Sequence, residues 1–524
     1  MHKLKICILY LLFPICLLSQ ADLKRDNYLS QPSVWKDSVP SFSASKKLLI
    51  NDPIIVQWLP IVSKLQKVQD HPTNWNDGPM APAKGYQQYL RLGVQAQWKF
   101  LELQFAPEMV LAQNKPFNTL SGDLDVVVVR DYYRWYNSIE LPTQFGYNAY
   151  NKILPGQSFV KFHYKKLSIA ASTENKWWGP AERNALILSN SAAGFPHISF
   201  KSEKPILTKL GDFNFEFITG WLENGGWAPP DDQRALNGNR LYFLKPNKQR
   251  VISGFNISYK PKWIPALTIG VEQSQVQYKD QLKSIAAYIP VKNIINRYST
   301  LVTNDEPITL TAFYFNYEIP KAKASIYGEF GWNLNQTTLR NWFLQPDKGY
   351  ASTLGIKKVI QPNANYNFEL LAEITQLQLL TVAEQFSKGV PLSWYVGQSI
   401  PQGYTNNGKL IGAGVGPGGS SQLIEVNWRK QANRIGLTFE RRVHNNDLYV
   451  AAFTNSGDFR RFYADFTTTF KADWQFKKLQ IGPRISYINT NNYYWYLYQT
   501  TNDYFLPGKD LQQWSAQFNI KYTL

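Results

Sequence analysis

Apolar and polar side chains alternate with a period of two in segment after segment of this chain. That period suits β-strands with one face in each of two environments and fits little else. The closing run is the most regular: Trp514, Ala516, Phe518, Ile520, Tyr522 and Leu524 share one face, with Ser515, Gln517, Asn519, Lys521 and Thr523 opposite. Leu90, Leu92, Val94, Ala96 and Trp98 oppose Arg91, Gln95 and Gln97, and Phe213, Phe215 and Phe217 flank Asn214 and Glu216. Gly, Pro, Asn or Lys turns join such runs into hairpin-like pairs, as Lys260-Pro261-Lys262 does between the runs centred on Ile257 and Ile269. The expected class is all-β. A strand that reaches the last residue frays unless it is paired, and in a closed barrel the last strand pairs with the first.

The other end of the chain points to the compartment. Lys3 and Lys5 precede an uncharged run from Ile6 to Leu18, and Ser19-Gln20-Ala21 offers small residues for cleavage. This pattern predicts a secretory signal peptide over 1–21, too short to span a membrane as a helix. Both cysteines, Cys7 and Cys16, fall inside it, so disulfides, thiol catalysis and thiolate metal sites are excluded from the mature chain. His71, His163, His197 and His444 are not spaced as metal ligands, and neither a metal nor a cofactor is predicted.

Residues 22–80 read differently. Pro32, Pro40, Pro53, Pro60, Pro72 and Pro79 interrupt them, and Ile61, Val62, Leu65 and Val68 sit at helical spacing. We expect a short periplasmic extension with one short helix after Pro60. Residues 81–524 then have room for roughly 16–20 strands of about ten residues, as a transmembrane antiparallel β-barrel of a Gram-negative outer membrane. The soluble alternatives are a propeller or a double sandwich, and no repeat of about 40–50 residues supports the propeller.

The formal charge is +18, two of it in the signal peptide. Excess positive charge on an exported protein favours a polyanionic neighbour such as lipopolysaccharide or an acidic glycan. Nucleic acid is excluded by location.

One stretch breaks the alternation. From Ser172 to Phe200 the chain reads STENKWWGPAERNALILSNSAAGFPHISF. Trp177 and Trp178 stand beside Glu174, Asn175, Glu182 and Arg183, with Asn190 further on. An indole face can cover the C–H face of a sugar while amides, carboxylates and guanidinium groups bond its hydroxyls. The same residues could equally wedge a strand end against the rest of the fold. Tyr493, Tyr494, Trp495 and Tyr496 read as girdle residues at the lipid interface.

These motifs resemble the Wzi family of capsule assembly proteins. The resemblance rests on the WWGP stretch and on Asn76-Asp77-Gly78-Pro79-Met80, Ala106-Pro107-Glu108 and Asn114. Ser393-Trp394-Tyr395, Gln402-Gly403-Tyr404-Thr405-Asn406-Asn407-Gly408, Gly416-Pro417-Gly418 and Phe439-Glu440-Arg441-Arg442 with Asn445 continue it. It implies a plugged outer-membrane barrel of about 18 strands that holds capsular or exopolysaccharide on the cell and is not an enzyme. Outer-membrane lipids, lipopolysaccharide and the barrel assembly machinery are the partners it implies, with the chain a monomer. Relatives carry a periplasmic helical bundle, for which the proline-broken segment 22–80 is too short.

The carbohydrate-binding candidates are therefore Glu174, Asn175, Trp177, Trp178, Glu182, Arg183 and Asn190, with Trp394, Tyr395, Gln402, Tyr404 and Asn406 from the second block. Two other functions compete. One is a porin-like barrel passing anions or oligosaccharides along basic lumen residues. The other is a hydrolase pairing Glu174 with Glu182, or His163 or His197 with Ser172 or Ser199, for which no recognisable motif exists.

Overall fold

The computed structural model describes residues 47–524 apart from 52–53, 74, 121–125, 230, 283–287, 289–306, 334–348, 380–392, 398, 454–461 and 496–509. The signal peptide and most of the segment before Pro60 lie outside the described residues.

The alternating runs form one large antiparallel sheet. Gly211–Leu222 pairs with Arg250–Pro261, which pairs with Leu267–Tyr278, and each later strand pairs with its sequence neighbour. The ladder ends with Ala464–Phe476, Leu479–Asn491 and Leu511–Tyr522. Leu511–Tyr522 lies in turn against Ile61–Val68, with Ser515 opposite Val68 and Tyr522 opposite Ile61.

This pairing corrects the expected helix after Pro60: Ile61–Val68 is a strand. Lys47–Asn51 and Ile54–Trp58 also belong to the sheet, so the sheet begins well before residue 81. The spacing of Ile61, Val62, Leu65 and Val68 is helical, and in the strand they divide between the two faces, with Leu65 exposed and Val68 buried. What decides is the unpaired edge that the last strand would otherwise leave, because sheet context overrides a short local pattern.

The two faces differ as the alternation requires. Trp514 is 56% exposed on the outside, while its neighbour Gln513 is 1% exposed and faces inward. Phe105, Ile153, Phe200, Phe313, Ile424 and Phe466 are exposed on the outer face. A belt of large apolar side chains this extensive needs an apolar solvent around it.

At one end the connections are short, and four are two-residue turns: Lys99-Phe100, Lys165-Lys166, Gln431-Ala432 and Lys477-Lys478. The first residue of each is left-handed, with φ of 49°, 54°, 53° and 49°. That conformation costs an L-residue roughly 1–2 kcal/mol, which the match to the twist of the flanking strands offsets. At the other end the connections are long, and several fold back against the inner face of the sheet. Inward strand residues Ile252, Val276 and Leu310 pack there with Leu186, Ile187, Trp394 and Tyr404 from the connections.

Two short helices in these connections have no counterpart in the sequence reading. Val126–Tyr136 buries Val128, Val129, Tyr132, Tyr133 and Tyr136 on one face. It packs on Asn446–Phe453. Among the described residues no helix is long and apolar enough to cross a membrane.

The face assignment is testable. Phe518 points outward and Asn519 inward, so Phe518→Asp places a carboxylate among lipid chains at a cost of up to ~2–4 kcal/mol, less for an acidic residue. Folding yield, followed by the heat-dependent mobility shift in SDS gels, should fall for Phe518→Asp and hold for Asn519→Asp. Equal yields would reverse the faces.

Candidate functional site

The WWGP stretch folds against the inner face of the sheet as a plug. Inward glutamates on separate strands hold it, mostly by its backbone. Glu329 accepts the N–H groups of Ala181 and Leu186, each at 2.8 Å. Glu373 accepts those of Glu182, Arg183 and Asn184 at 2.7–3.1 Å, together with the Tyr327 hydroxyl at 2.7 Å. Glu440 takes the Arg183 guanidinium through both oxygens, at 3.0 and 2.8 Å. Glu216 binds Lys176 at 2.9 Å and the Trp178 indole N–H at 2.8 Å. Backbone amides and a paired carboxylate satisfy each other away from water, which is what makes buried glutamates tolerable here. Gly179, at φ +80°, has no alternative: a Cβ there would collide with the Glu329 carboxylate.

The second block closes over the first. The Tyr395 hydroxyl donates to the Leu186 carbonyl at 2.6 Å, and the Tyr404 hydroxyl donates to that of Ile187 at 3.1 Å. The two rings stack with centroids 5.5 Å apart. Gln402 accepts from the Tyr278 hydroxyl at 2.7 Å, and Asn406 donates to the Ala193 carbonyl at 3.2 Å. Buried Arg250 binds the Gly403 and Thr405 carbonyls at 3.1 and 2.9 Å.

The two motif blocks are thus brought together, as parts of the plug. Trp178, Trp394, Tyr395 and Tyr404 are buried, and protein covers their ring faces. Glu182 pairs with Lys357 at 2.6 Å, and the Asn190 carbonyl accepts from Gly78 at 2.8 Å. Glu174, Asn175 and Trp177 are half-buried. Asn175 donates to the Ala192 carbonyl at 2.7 Å and Trp177 to that of Ala181 at 3.0 Å, while Glu174 accepts from the Ser172 hydroxyl at 3.2 Å.

A cavity of about 230 Å³ lies on the long-connection side of the plug, and sequence reasoning missed it. Tyr132, Trp135, Tyr463, Tyr493, Tyr494 and Trp495 line it, with Trp75, His71 and Arg442. The expected girdle assignment of 493–496 is corrected here. Tyr493 and Trp495 are buried inside the sheet, where both meet Tyr463 edge-on; Tyr496 lies outside the described residues. Lipid-girdle and lumen aromatics look alike in sequence, because only the path of a long connection separates them.

The polar atoms of this cavity are unevenly satisfied. The indole N–H groups of Trp75, Trp135 and Trp495 are buried without a hydrogen-bond partner among the described residues, as is Nδ1 of His71. The Thr490 hydroxyl donates to Asp465 at 2.6 Å, so at 3.0 Å it accepts from His71 Nε2. Nδ1 of His71 is therefore an acceptor, and burial holds the ring below its ordinary pKa and neutral. Burial and the neighbouring Arg442 push His444 down to about 4, so at neutral pH it donates as a neutral ring to Asp465 at 2.6 Å. Trp75 forms one wall between two guanidinium groups, Arg183 at 4.0 Å and Arg442 at 4.2 Å from its ring.

The model of the family described as capsule assembly protein Wzi matches residues 63–482. No curated protein matches the chain. Among solved structures the chain is similar to Wzi of Escherichia coli, an outer membrane protein involved in group 1 capsule assembly and a carbohydrate-binding β-barrel. Identity is 11% and the TM-score 0.56, over 88% of this chain and 84% of that one. It is also similar to OccAB2 of Acinetobacter baumannii, at 11% identity and TM-score 0.41, over 90% and 98%. At such identities the likeness to the E. coli structure is one of fold.

Two outcomes test the plug. Glu373→Ala strips the acceptor from three backbone N–H groups, at about 1–3 kcal/mol for each left unsatisfied. Residues 173–196 should then become protease-sensitive and the unfolding temperature in SDS should drop, with Glu373→Gln intermediate. The second concerns Asp447, whose carboxylate accepts from Leu379 N–H at 2.9 Å and the Ser393 hydroxyl at 2.6 Å. Burial raises it from 3.8 to about 7. The folded form therefore binds the extra proton, and stability falls as pH rises from about 4 to about 7, by at most about 1.4 kcal/mol per pH unit. Thermal unfolding of Asp447→Asn should lack that slope.

Proposed function

The chain belongs to the capsule assembly protein Wzi family, and from that premise we propose that it attaches capsular or exopolysaccharide to the outer surface of the outer membrane through the aromatic cavity beside Trp75. Family and fold make it an outer-membrane, lectin-like β-barrel protein and not an enzyme. In this reading it is a closed barrel of about 18 strands, sealed where Leu511–Tyr522 meets Ile61–Val68 and filled by the WWGP plug.

One observation carries the proposal. An aromatic-lined cavity on the long-connection side combines unpartnered indole donors with an unpartnered imidazole acceptor among the described residues. Sugars need both, because each hydroxyl donates and accepts while the ring's C–H face seeks an aromatic surface. Short turns of outer-membrane barrels face the periplasm and long connections face outward, which puts the cavity on the capsule side. A lumen packed by Leu186, Ile187, Trp394 and Tyr404 favours attachment over a porin-like channel.

The test separates binding from assembly. Trp135→Phe with Trp495→Phe, which keeps a ring in each buried position and removes both indole donors, should release polysaccharide from cells into the medium while its total stays constant and the protein remains abundant and heat-modifiable. Trp178→Ala should instead lower abundance, since it removes a buried ring worth about 3–5 kcal/mol and one of the two partners of Glu216. Full retention of polysaccharide by a well-assembled Trp135/Trp495 double variant would refute the cavity assignment.

A further inference from the structure

Across the Trp75 wall lies a second cavity, of about 350 Å³, between the plug and the strands around the meeting of Leu511–Tyr522 with Ile61–Val68. It reaches Ala432 in a two-residue turn and Gln480 beside another, so it faces the short-turn end, opposite the aromatic cavity. Its lining is charged and basic, with eight lysines and arginines against four carboxylates, and of the eight Lys471 pairs with Glu425 and Arg429 with Glu369 just behind the wall.

Those four carboxylates are already engaged. Asp473 is shared by Arg434 and, at 2.9 Å, by Arg484. Glu440 is held by Arg183, Asp465 by His444 and Thr490, and Asp77 by Lys409. Among the described residues neither Lys64 nor Arg442 is ion-paired. Lys64 lies 5.2 Å over the Tyr89 ring. Arg442 reaches the carbonyls of Thr73, Gly414 and Val415 at 3.2–3.4 Å and leaves its Nε unbonded. Arg434, 5% exposed, also leaves its Nε without a partner. Fixed positive charge in a low-dielectric recess attracts an anion far more strongly than it would on an open surface.

We propose that this recess is a second binding site, for a small carboxylate-bearing sugar of the uronate class entering from the periplasmic end. Guanidinium forks match the planar carboxylate. Thr467, Ser515, Gln517 and Asn519 on the same wall supply partners for sugar hydroxyls. The volume falls in the range of small-ligand pockets, about 300–1,000 Å³.

Calorimetry on the intact protein in detergent tests this, with galacturonate, galactose and inorganic phosphate as probes. Galacturonate should bind one to one and weaken as salt rises, whereas galactose and phosphate should bind at least tenfold more weakly. Lys64→Gln should cut galacturonate affinity about tenfold. Lys67→Gln, on the outer face of the same strand, should leave it unchanged and so controls for the lost charge. Galactose binding as tightly as galacturonate would show that the carboxylate is not read. Phosphate binding as tightly would show an anion site without sugar recognition, and equal affinities of Lys64→Gln and Lys67→Gln would place binding elsewhere. Any of these overturns the proposal. None of them depends on polysaccharide retention by cells, so failure here leaves the aromatic cavity to its own test.

Discussion

Four glutamates that point into the lumen, Glu216, Glu329, Glu373 and Glu440, hold the rest of the molecule in register. Each is tolerable inside only because plug amides, an indole N–H, a lysine or an arginine meets it, and the plug is ordered only because those acceptors stand on fixed strands. Neither half is stable alone in this geometry, since isolated buried carboxylates and unpaired buried amides are both costly. The motif residues follow from this dependence. Gly179 lets the backbone approach Glu329, and Tyr395 and Tyr404 hold the carbonyls on the far side of the same loop.

The outer face obeys a simpler rule. Side chains there answer to lipid alone, which asks for apolar surface in every second position and leaves identity free. Inner positions answer to specific partners, as Arg183 does to Glu440 and Arg250 to the Gly403 and Thr405 carbonyls.

That division explains what is legible in the sequence. Strands such as Leu511–Tyr522 and Gly211–Leu222 are plain, because alternation is written locally. Ile61–Val68 reads as helical, because its strand character comes from a partner at the opposite end of the chain. The WWGP and QGYTNNG stretches stand out in the sequence because they break the alternation. Their chemistry suggests sugar contact, yet the structure uses the same amides, carboxylates and indoles to bind one another. The residues of the aromatic cavity come from several separate connections, from His71 to Trp495. No single window of sequence contains enough of it to be noticed, and composition alone draws Tyr493 to Trp495 toward the membrane.

The plug also constrains the order in which the chain can mature. Ala181 waits for an acceptor 148 residues later, Glu182 for one 191 residues later, and Arg183 for one 257 residues later. The loop is synthesised and exported long before the strands that receive it, and loop closure over such spans is slow. Glu329 and Glu373 stand on earlier strands, and until the strand Asn433–Val443 brings Glu440 into place, Arg183 lacks its carboxylate. The Arg183–Glu440 pair is thus the last of these contacts that the chain can make, and a chain interrupted before Glu440 would lack it together with the strand that meets Ile61–Val68.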